Sequence, residues 1–475
     1  MRCAGAFDHV QPTRMTAELS QVDVNAALAT KRCPVVLLLG VFLVRLVVAF
    51  AMWQIGGSDA FISPDTITYT EPSQTLLHGS FSRFGAAEIF RTPGYPLLLA
   101  PAVASGHLVG IALLENLLLA TVSAYLIWLI AIKLLPASNA GFGAVILYCF
   151  EPLSIVYSEK VLSEALFTTL LLLTILCWLR FLNNPTYGAL AQSAIGLAAS
   201  AYVRPVVLYL GIFVLPLLLL GWPSGKWSLR VGRALCFLLT FSLILAPWVI
   251  RNAAVADYKG FSSSADWNLY FLSAAAVQSK LEHRTLAEVQ EEWGNLDPEQ
   301  YFRSHPEQRA WSQGRIARFW GGDAKRIIRG HLLLYAAIHA RGCAIVLFDP
   351  GVTDILKVFR LYPESGGLLS RALDQGFARS ILWLVKQYPV AAIALLLLGC
   401  QLLLYYVLAL AGLRRLPSAV SLLFVTIVLY FVVVSGVPAA VARYRVPFMP
   451  IVCICAGIGI ACWTSGEPGS KPAEA

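Results

Sequence analysis

The sequence predicts an all-α integral membrane protein of about ten transmembrane helices, with two non-cytoplasmic loops that carry short interfacial helices. Three observations carry that expectation. Of 475 residues, 58% are hydrophobic and 13% charged, where a soluble domain carries about 25% charged residues. Apolar runs such as "PVVLLLGVFLVRLVVAFAMWQI" from Pro34 recur along the chain, and a helix needs about 20 such residues to cross a bilayer. Basic residues gather in the short breaks between runs: Lys31 with Arg32, Lys133, Arg180, Lys226 with Arg230 and Arg233, and Arg414 with Arg415. Placing these breaks in the cytoplasm satisfies the positive-inside rule.

Run length puts spans near 34–55, 108–133, 140–157, 161–182, 188–203, 206–221, 232–250, 389–412, 417–436 and 446–463. With a cytoplasmic N-terminus, ten crossings return every basic break, and the C-terminal 464–475, to the inside. Residues 1–33 are then a cytoplasmic tail, 34–250 a membrane domain with a first external loop at 56–107, 251–388 a large external loop, and 389–463 the C-terminal membrane helices. Asp8, Glu18 and Asp23 make the tail unlike the basic start of a cleaved signal peptide, whether Met1 or Met15 begins the chain. The net charge of +9 does not imply nucleic acid, because the basic residues flank apolar runs and form no soluble basic face.

Two segments fit no span. "PGYPLLLAPAVAS" at 93–105 is too short and reads as a re-entrant or interfacial helix started by proline. "HLLLYAAIHARGCAIVLF" at 331–348 is interrupted by His339 and Arg341, and a crossing there would move Arg414 and Arg415 outside. It reads as a basic interfacial helix on the outer surface. The 10 cysteines mostly lie in apolar runs without zinc-site spacing, which makes them small core residues and not a disulfide framework.

Charges inside or beside the spans need partners. Arg45 sits mid-way along the first span, where a central charge costs about 2.5–3.5 kcal/mol. Glu115, Glu151 and Glu164 are available to pair with it, Glu115 being preferred. The first loop concentrates polar candidates, among them Asp59, Asp65, Tyr69, Glu71, Glu88 and Arg91. Asp65 in "SPDTITYTE" also reads as a helix N-cap, and Tyr69 one turn on as an interfacial tyrosine. Arg91, in "FRTPGYPLLLA", precedes a rigid helix entrance at the membrane surface. A planar guanidinium there suits a phosphate headgroup, whether of a bound substrate or of bulk lipid. Arg204, Arg251, Arg443 and Arg445 all fall on the outer side, against the charge rule, and a ring of cations around a lipid phosphate would account for them.

Asp65 with Tyr69, the Gly79 turn and "RTPGYPLLLA" resemble the first external loop of polytopic glycosyltransferases of the C superfamily (GT-C). The branch most resembled is the bacterial one related to protein O-mannosyltransferases and the lipid A aminoarabinose transferase. "EPLSIVYSEKVLSEALF", "AYVRPVVLYL", "APWVIRN" and "ARYRVPFMP" are similar to later blocks of that branch, in the same order. The resemblance implies a GT-C-like fold and an inverting transfer of sugar, outside the cytoplasm, from a polyprenyl-phosphate donor to a hydroxyl on a lipid, glycan or protein. It also implies a bacterial inner membrane, in which the count of spans and the basic breaks put both termini in the cytoplasm.

An alcohol needs a carboxylate in reach to take its proton, and Asp65 is preferred over Asp59 because of its Tyr69 spacing. The leaving lipid phosphate needs positive charge, for which Arg91, Arg443, Arg445 and Arg251 are the candidates. Asp59, Tyr69, Tyr95, Glu159, Glu164 and Arg204 are expected to border the pocket. No cofactor and no catalytic metal are expected, the lipid-linked sugar being a substrate. A glycan polymerase or ligase with a lipid-linked donor, and a lipid or sugar transporter, are the rival readings.

Overall fold

The computed structural model describes residues 34–136, 138–220, 225–362 and 368–464. The expected cytoplasmic tails, apart from Thr464, and the choice between Met1 and Met15 lie outside them. The described chain is almost wholly helical, its strands being a hairpin of Ser82–Arg83 with Ala86–Ala87. In chain order the principal helices are α1 (Pro34–Gly56), α2 (Ile67–Leu77), α3 (Gly94–Ala104), α4 (Leu108–Leu134), α5 (Ala140–Cys149), α6 (Pro152–Glu159), α7 (Glu164–Asn183) and α8 (Tyr187–Val203). They continue with α9 (Leu210–Leu219), α10 (Trp227–Ala256), α11 (Gln313–Gly330), α12 (Leu332–Phe348), α13 (Val352–Val358), α14 (Pro389–Leu413), α15 (Ser418–Ser435) and α16 (Met449–Thr464). Short unlabelled helices fill 264–304 and 368–387.

The expected count of ten spans is not met, although every one of those segments is helical. Among the described residues six helices are long and apolar enough to cross a membrane, or up to eight if each of two bent pairs is one span. The shortfall has local causes. Helices α8, α9 and α16 hold 17, 10 and 16 residues, about 15–26 Å at the helical rise, against an apolar layer of about 30 Å. The run at 140–157 is broken into α5 and α6 with a 59° bend. Glu151 and Pro152 cause that break: the carboxylate accepts a hydrogen bond from Ser154 N at 2.5 Å and proline occupies the first helical position, where its missing N–H is no loss. Helices α11 and α12 meet at 105°, so the apolar segment at 331–348 is the second arm of a bent pair. Its Ile345 and Val346 are buried, and it packs on α15 and the 442–445 turn.

Burial follows the membrane pattern. Val41, Arg45, Ala49 and Met52 form the buried stripe of α1, three or four residues apart, while Leu39, Leu43, Val47 and Phe50 point outward. Arg45 does not pair with Glu115, which lies off the buried stripe of α4. Its Nε donates to Ser158 Oγ at 3.2 Å, and its guanidinium lies 4.8 Å from the Tyr148 ring centroid. Helix α16 is the centre of the bundle, against α4, α5 and α14. Cys149, Cys453 and Cys455 are buried and unbridged, as small core residues should be, whereas Cys400 is exposed.

The first loop is folded tightly onto this bundle. Phe84 takes φ of 52° in the hairpin turn, a rare setting for a bulky residue, and its N–H is held by Glu71 Oε1 at 2.5 Å. Helix α3 starts at Gly94, whose added Cβ would lie 2.6 Å from the carbonyl oxygen of Tyr202, so glycine is what allows α3 to meet the end of α8. The second loop is tied to the first by Ser262 Oγ donating to Phe90 O at 2.6 Å and Ser263 N donating to Ile89 O at 2.9 Å. Beyond that seam Tyr270, Phe271, Tyr301, Ile316 and Ala324 form a second small core. Gly94→Ala is expected to lower the thermal midpoint in detergent, by overpacking of about 1–3 kcal/mol. Gly110→Ala, where nothing lies within 4 Å of the added Cβ, is expected to leave the midpoint unchanged or raise it.

Candidate active site

Asp65 sits in a turn that local hydrogen bonds fix before any long-range contact is made. Ser63 N donates to Thr66 Oγ1 at 3.0 Å, and Thr66 Oγ1 donates onward to Val161 O at 3.1 Å. Val161 N in turn donates to Phe61 O at 2.9 Å, so the turn is clamped to the link between α6 and α7. Thr66, not Asp65, is the residue at the N-cap position of α2, which leaves the Asp65 carboxylate free for tertiary partners.

Those partners are two arginines, one on each oxygen. Arg91 donates from a terminal nitrogen to Asp65 Oδ1 at 2.9 Å. Arg443 donates to Asp65 Oδ2, also at 2.9 Å. Arg91 is oriented on all sides: its Nε donates to Thr68 Oγ1 at 2.8 Å and its other terminal nitrogen to Tyr69 Oη at 3.0 Å. Glu88 Oε1 accepts the backbone N–H of Phe90 and of Arg91, at 2.5 and 2.9 Å. Tyr69 lies one helical turn from Asp65, as the i, i+4 spacing requires, with its ring 4.4 Å from the Arg91 guanidinium and its hydroxyl 3.3 Å from Ser163 Oγ.

Arg443 is fixed by a second carboxylate. Its Nε donates to Glu164 Oε1 at 2.5 Å, and the same oxygen lies 3.0 Å from Arg204. Glu164 opens α7, where the helix dipole favours a negative charge, and its side chain is 1% exposed. Arg204 reaches it because the following Pro205 forces the chain out of α8 into an extended conformation, φ −138° and ψ 109°. Tyr157 closes the far side of Arg443, ring centroid to guanidinium 5.3 Å, and its hydroxyl donates to Asp354 Oδ1 at 2.8 Å.

The arrangement therefore brings together Asp65, Tyr69, Arg91, Glu164, Arg204 and Arg443, from four separate parts of the chain. Tyr95 borders it, packed edge-on to Tyr69 at 5.0 Å, with its buried hydroxyl unpartnered among the described residues. The remaining candidates lie elsewhere. Asp59 is exposed in the 3-10 turn Gly57–Phe61. Glu159 is buried beside Ser158, on the Arg45 side of α6. Arg251 donates to the carbonyls of Glu88 and Phe81 at 2.6 and 2.7 Å, and so braces the loop that carries Arg91. Arg445 is buried and donates to Asp349 O at 2.6 Å. Neither arginine has its guanidinium free for a phosphate beside Asp65.

Burial pushes the Asp65 carboxyl up, but the guanidiniums of Arg91 and Arg443 outweigh it and hold the group below the usual aspartate range. The side chain nonetheless keeps 38% exposure, so a substrate atom can reach it. Thr68, Ser163 and Asp354 were not distinguishable in the sequence as parts of this arrangement. Only their tertiary neighbours mark them. An open groove of about 360 Å³, lined by Ile67, Thr70, Glu71, Gln74, Val103, Gly106 and Leu108, lies on the opposite face of α2 and is separate from the arginine cluster. Among the described residues no three His, Cys, Asp or Glu side chains converge to hold a metal ion.

No family model and no curated protein sequence matches this chain. Among solved structures it is similar to the archaeal oligosaccharyltransferase AglB from Archaeoglobus fulgidus, in complex with an inhibitory peptide and a dolichol-phosphate, at a TM-score of 0.45 and 11% identity. The match covers 89% of this chain and 50% of that one, so the chain spans about half the length of that neighbour.

Two predictions follow from the cluster's electrostatics. The folded-state pKa of Asp65 is depressed, so its ion pairs stabilise the protein fully above the unfolded value of about 3.9 and cease to do so as pH falls through the lower folded value. Thermal midpoints of wild type and Asp65→Asn should therefore differ, wild type higher, above about pH 4, and converge below it. Glu164→Gln removes the shared counter-charge of Arg204 and Arg443, and breaking a buried pair in this way is expected to cost about 3–5 kcal/mol, read as a lower thermal midpoint at neutral pH.

Proposed function

We propose that the protein is an inverting membrane glycosyltransferase that moves a sugar from a polyprenyl-phosphate donor to an acceptor hydroxyl at the outer face of the membrane. The observation that carries this reading is the Asp65 carboxylate held between Arg91 and Arg443 in a loop beside the membrane helices. A lone carboxylate and a pair of arginines are the complementary groups that such a transfer needs. The acceptor O–H gives its proton to an Asp65 oxygen as its own oxygen bonds to the anomeric carbon. The anomeric carbon–phosphate oxygen bond breaks, and its electron pair leaves on the phosphate, where Arg91 and Arg443 stabilise the growing charge. Attack opposite the leaving group inverts the anomeric carbon. The resemblance of the first loop and of "ARYRVPFMP" to the GT-C branch supports the same assignment.

In this reading the loops at 56–107 and 251–388 lie outside the cytoplasm and both termini inside, in a bacterial inner membrane, with the acceptor a lipid, glycan or protein. The broken helix α5–α6 invites a transporter reading, since transporters aim half-helix ends at a substrate. Here, however, the N-terminus of α6 is closed by the Glu151 side chain, so that half-helix end is not open to a substrate.

The test is mass spectrometry of envelope lipids, glycans and proteins from a strain lacking the protein, complemented with wild type or Asp65→Asn at equal membrane abundance. Wild type should restore one sugar-sized mass increment, and Asp65→Asn should lower its rate of formation by about 10²–10⁴-fold, the usual contribution of a general base. Full restoration by Asp65→Asn would remove Asp65 from the chemistry.

A further inference from the structure

As its two ion pairs hold it, the proposed base is not free to act. Both Asp65 oxygens accept a hydrogen bond from a guanidinium, Arg91 on one and Arg443 on the other, each at 2.9 Å. A carboxylate neutralised from both sides is a poor proton acceptor. The same two guanidiniums are the cations nearest the place where a leaving phosphate must be stabilised. They cannot give the same hydrogens in full to Asp65 and to a phosphate.

The two arginines are held differently. Arg443 is anchored from behind by Glu164, its Nε on Oε1 at 2.5 Å, and Arg91 by Thr68 and Tyr69 at 2.8 and 3.0 Å. Each therefore keeps its position when its terminal nitrogen changes partner. Three arginines, Arg91, Arg204 and Arg443, stand against two carboxylates, Asp65 and Glu164, so an added anion improves the balance of charge. Phosphate oxygens accept strong, charge-assisted hydrogen bonds from guanidinium.

We propose that Arg91 and Arg443 form a hand-over switch: the donor's phosphate takes their hydrogen bonds away from Asp65, and only then does the carboxylate become an effective base for the acceptor. The device rests on the glycosyltransferase reading and adds an order to it, lipid-phosphate donor before acceptor. Its chemical benefit is that the carboxylate stays masked until a donor phosphate binds, so no reactive base stands beside acceptor hydroxyls before then. Depression of the Asp65 pKa by the two arginines agrees with the masked state.

The consequence is a competition that binding reads directly. The full-length protein in nanodiscs is titrated with undecaprenyl phosphate and, separately, with uncharged undecaprenol. Wild type should prefer the phosphate. Asp65→Asn, and Asp65→Ser as a second neutral replacement, should bind undecaprenyl phosphate about tenfold more tightly than wild type, because the competing carboxylate is gone. Arg91→Gln should bind it about tenfold more weakly, and none of the three should alter undecaprenol binding. A clear phosphate preference in wild type with unchanged or weaker binding by both Asp65 variants would overturn the hand-over while leaving the donor class standing. Equal binding of phosphate and alcohol by wild type would overturn both the hand-over and the glycosyltransferase reading.

Discussion

The buried carboxylate of Glu164 is the constraint on which the candidate site depends. A carboxylate at 1% exposure is tolerable only when it is paired, and its pairing draws Arg204 from the end of α8 and Arg443 from the turn before α16 to one oxygen. Arg443 then extends the chain of charge to Asp65, and Asp65 to Arg91. Four distant stretches are thus placed by one unbroken line of ion pairs. From Glu164 through Arg443 to Asp65 the side-chain exposure rises from 1% through 14% to 38%. Glu164 thus holds the geometry, while the Asp65 carboxylate stays accessible.

Two other arginines do not converge on the site, because backbone carbonyls hold them elsewhere. Arg251 and Arg445 direct their terminal nitrogens to backbone carbonyls of loops. Arg251 in particular ties α10 to Glu88, whose carboxylate carries the Phe90 and Arg91 amides. Arg91 therefore inherits its position from a side chain 160 residues away, through Glu88.

Much of this was legible in the sequence where local chemistry decides. The apolar runs became helices, "PGYP" began a short one, and Asp65 with Tyr69 faced the same way because four residues make one turn. What was not legible depended on distance in the chain. Nothing near Arg45 in sequence indicates Ser158 and Tyr148 as its partners, nor that α4 turns Glu115 aside. The span count failed for a related reason: run length does not register that Glu151 and Pro152 start a new helix, or that α8 and α16 stop short of the bilayer thickness. The basic pairs "RP", "RN" and "RYR" looked equivalent as cations, yet tertiary contacts sort them into Arg204 and Arg443 in the cluster and Arg251 and Arg445 outside it.

The central claim is that the paired arginines beside Asp65 receive a lipid phosphate. It is tested most directly by cryo-electron microscopy of the protein in nanodiscs with bound undecaprenyl phosphate. The account predicts phosphate density within hydrogen-bonding distance of both Arg91 and Arg443, with at least one Asp65 ion pair opened. A phosphate seated elsewhere, with both Asp65 pairs intact, would contradict it.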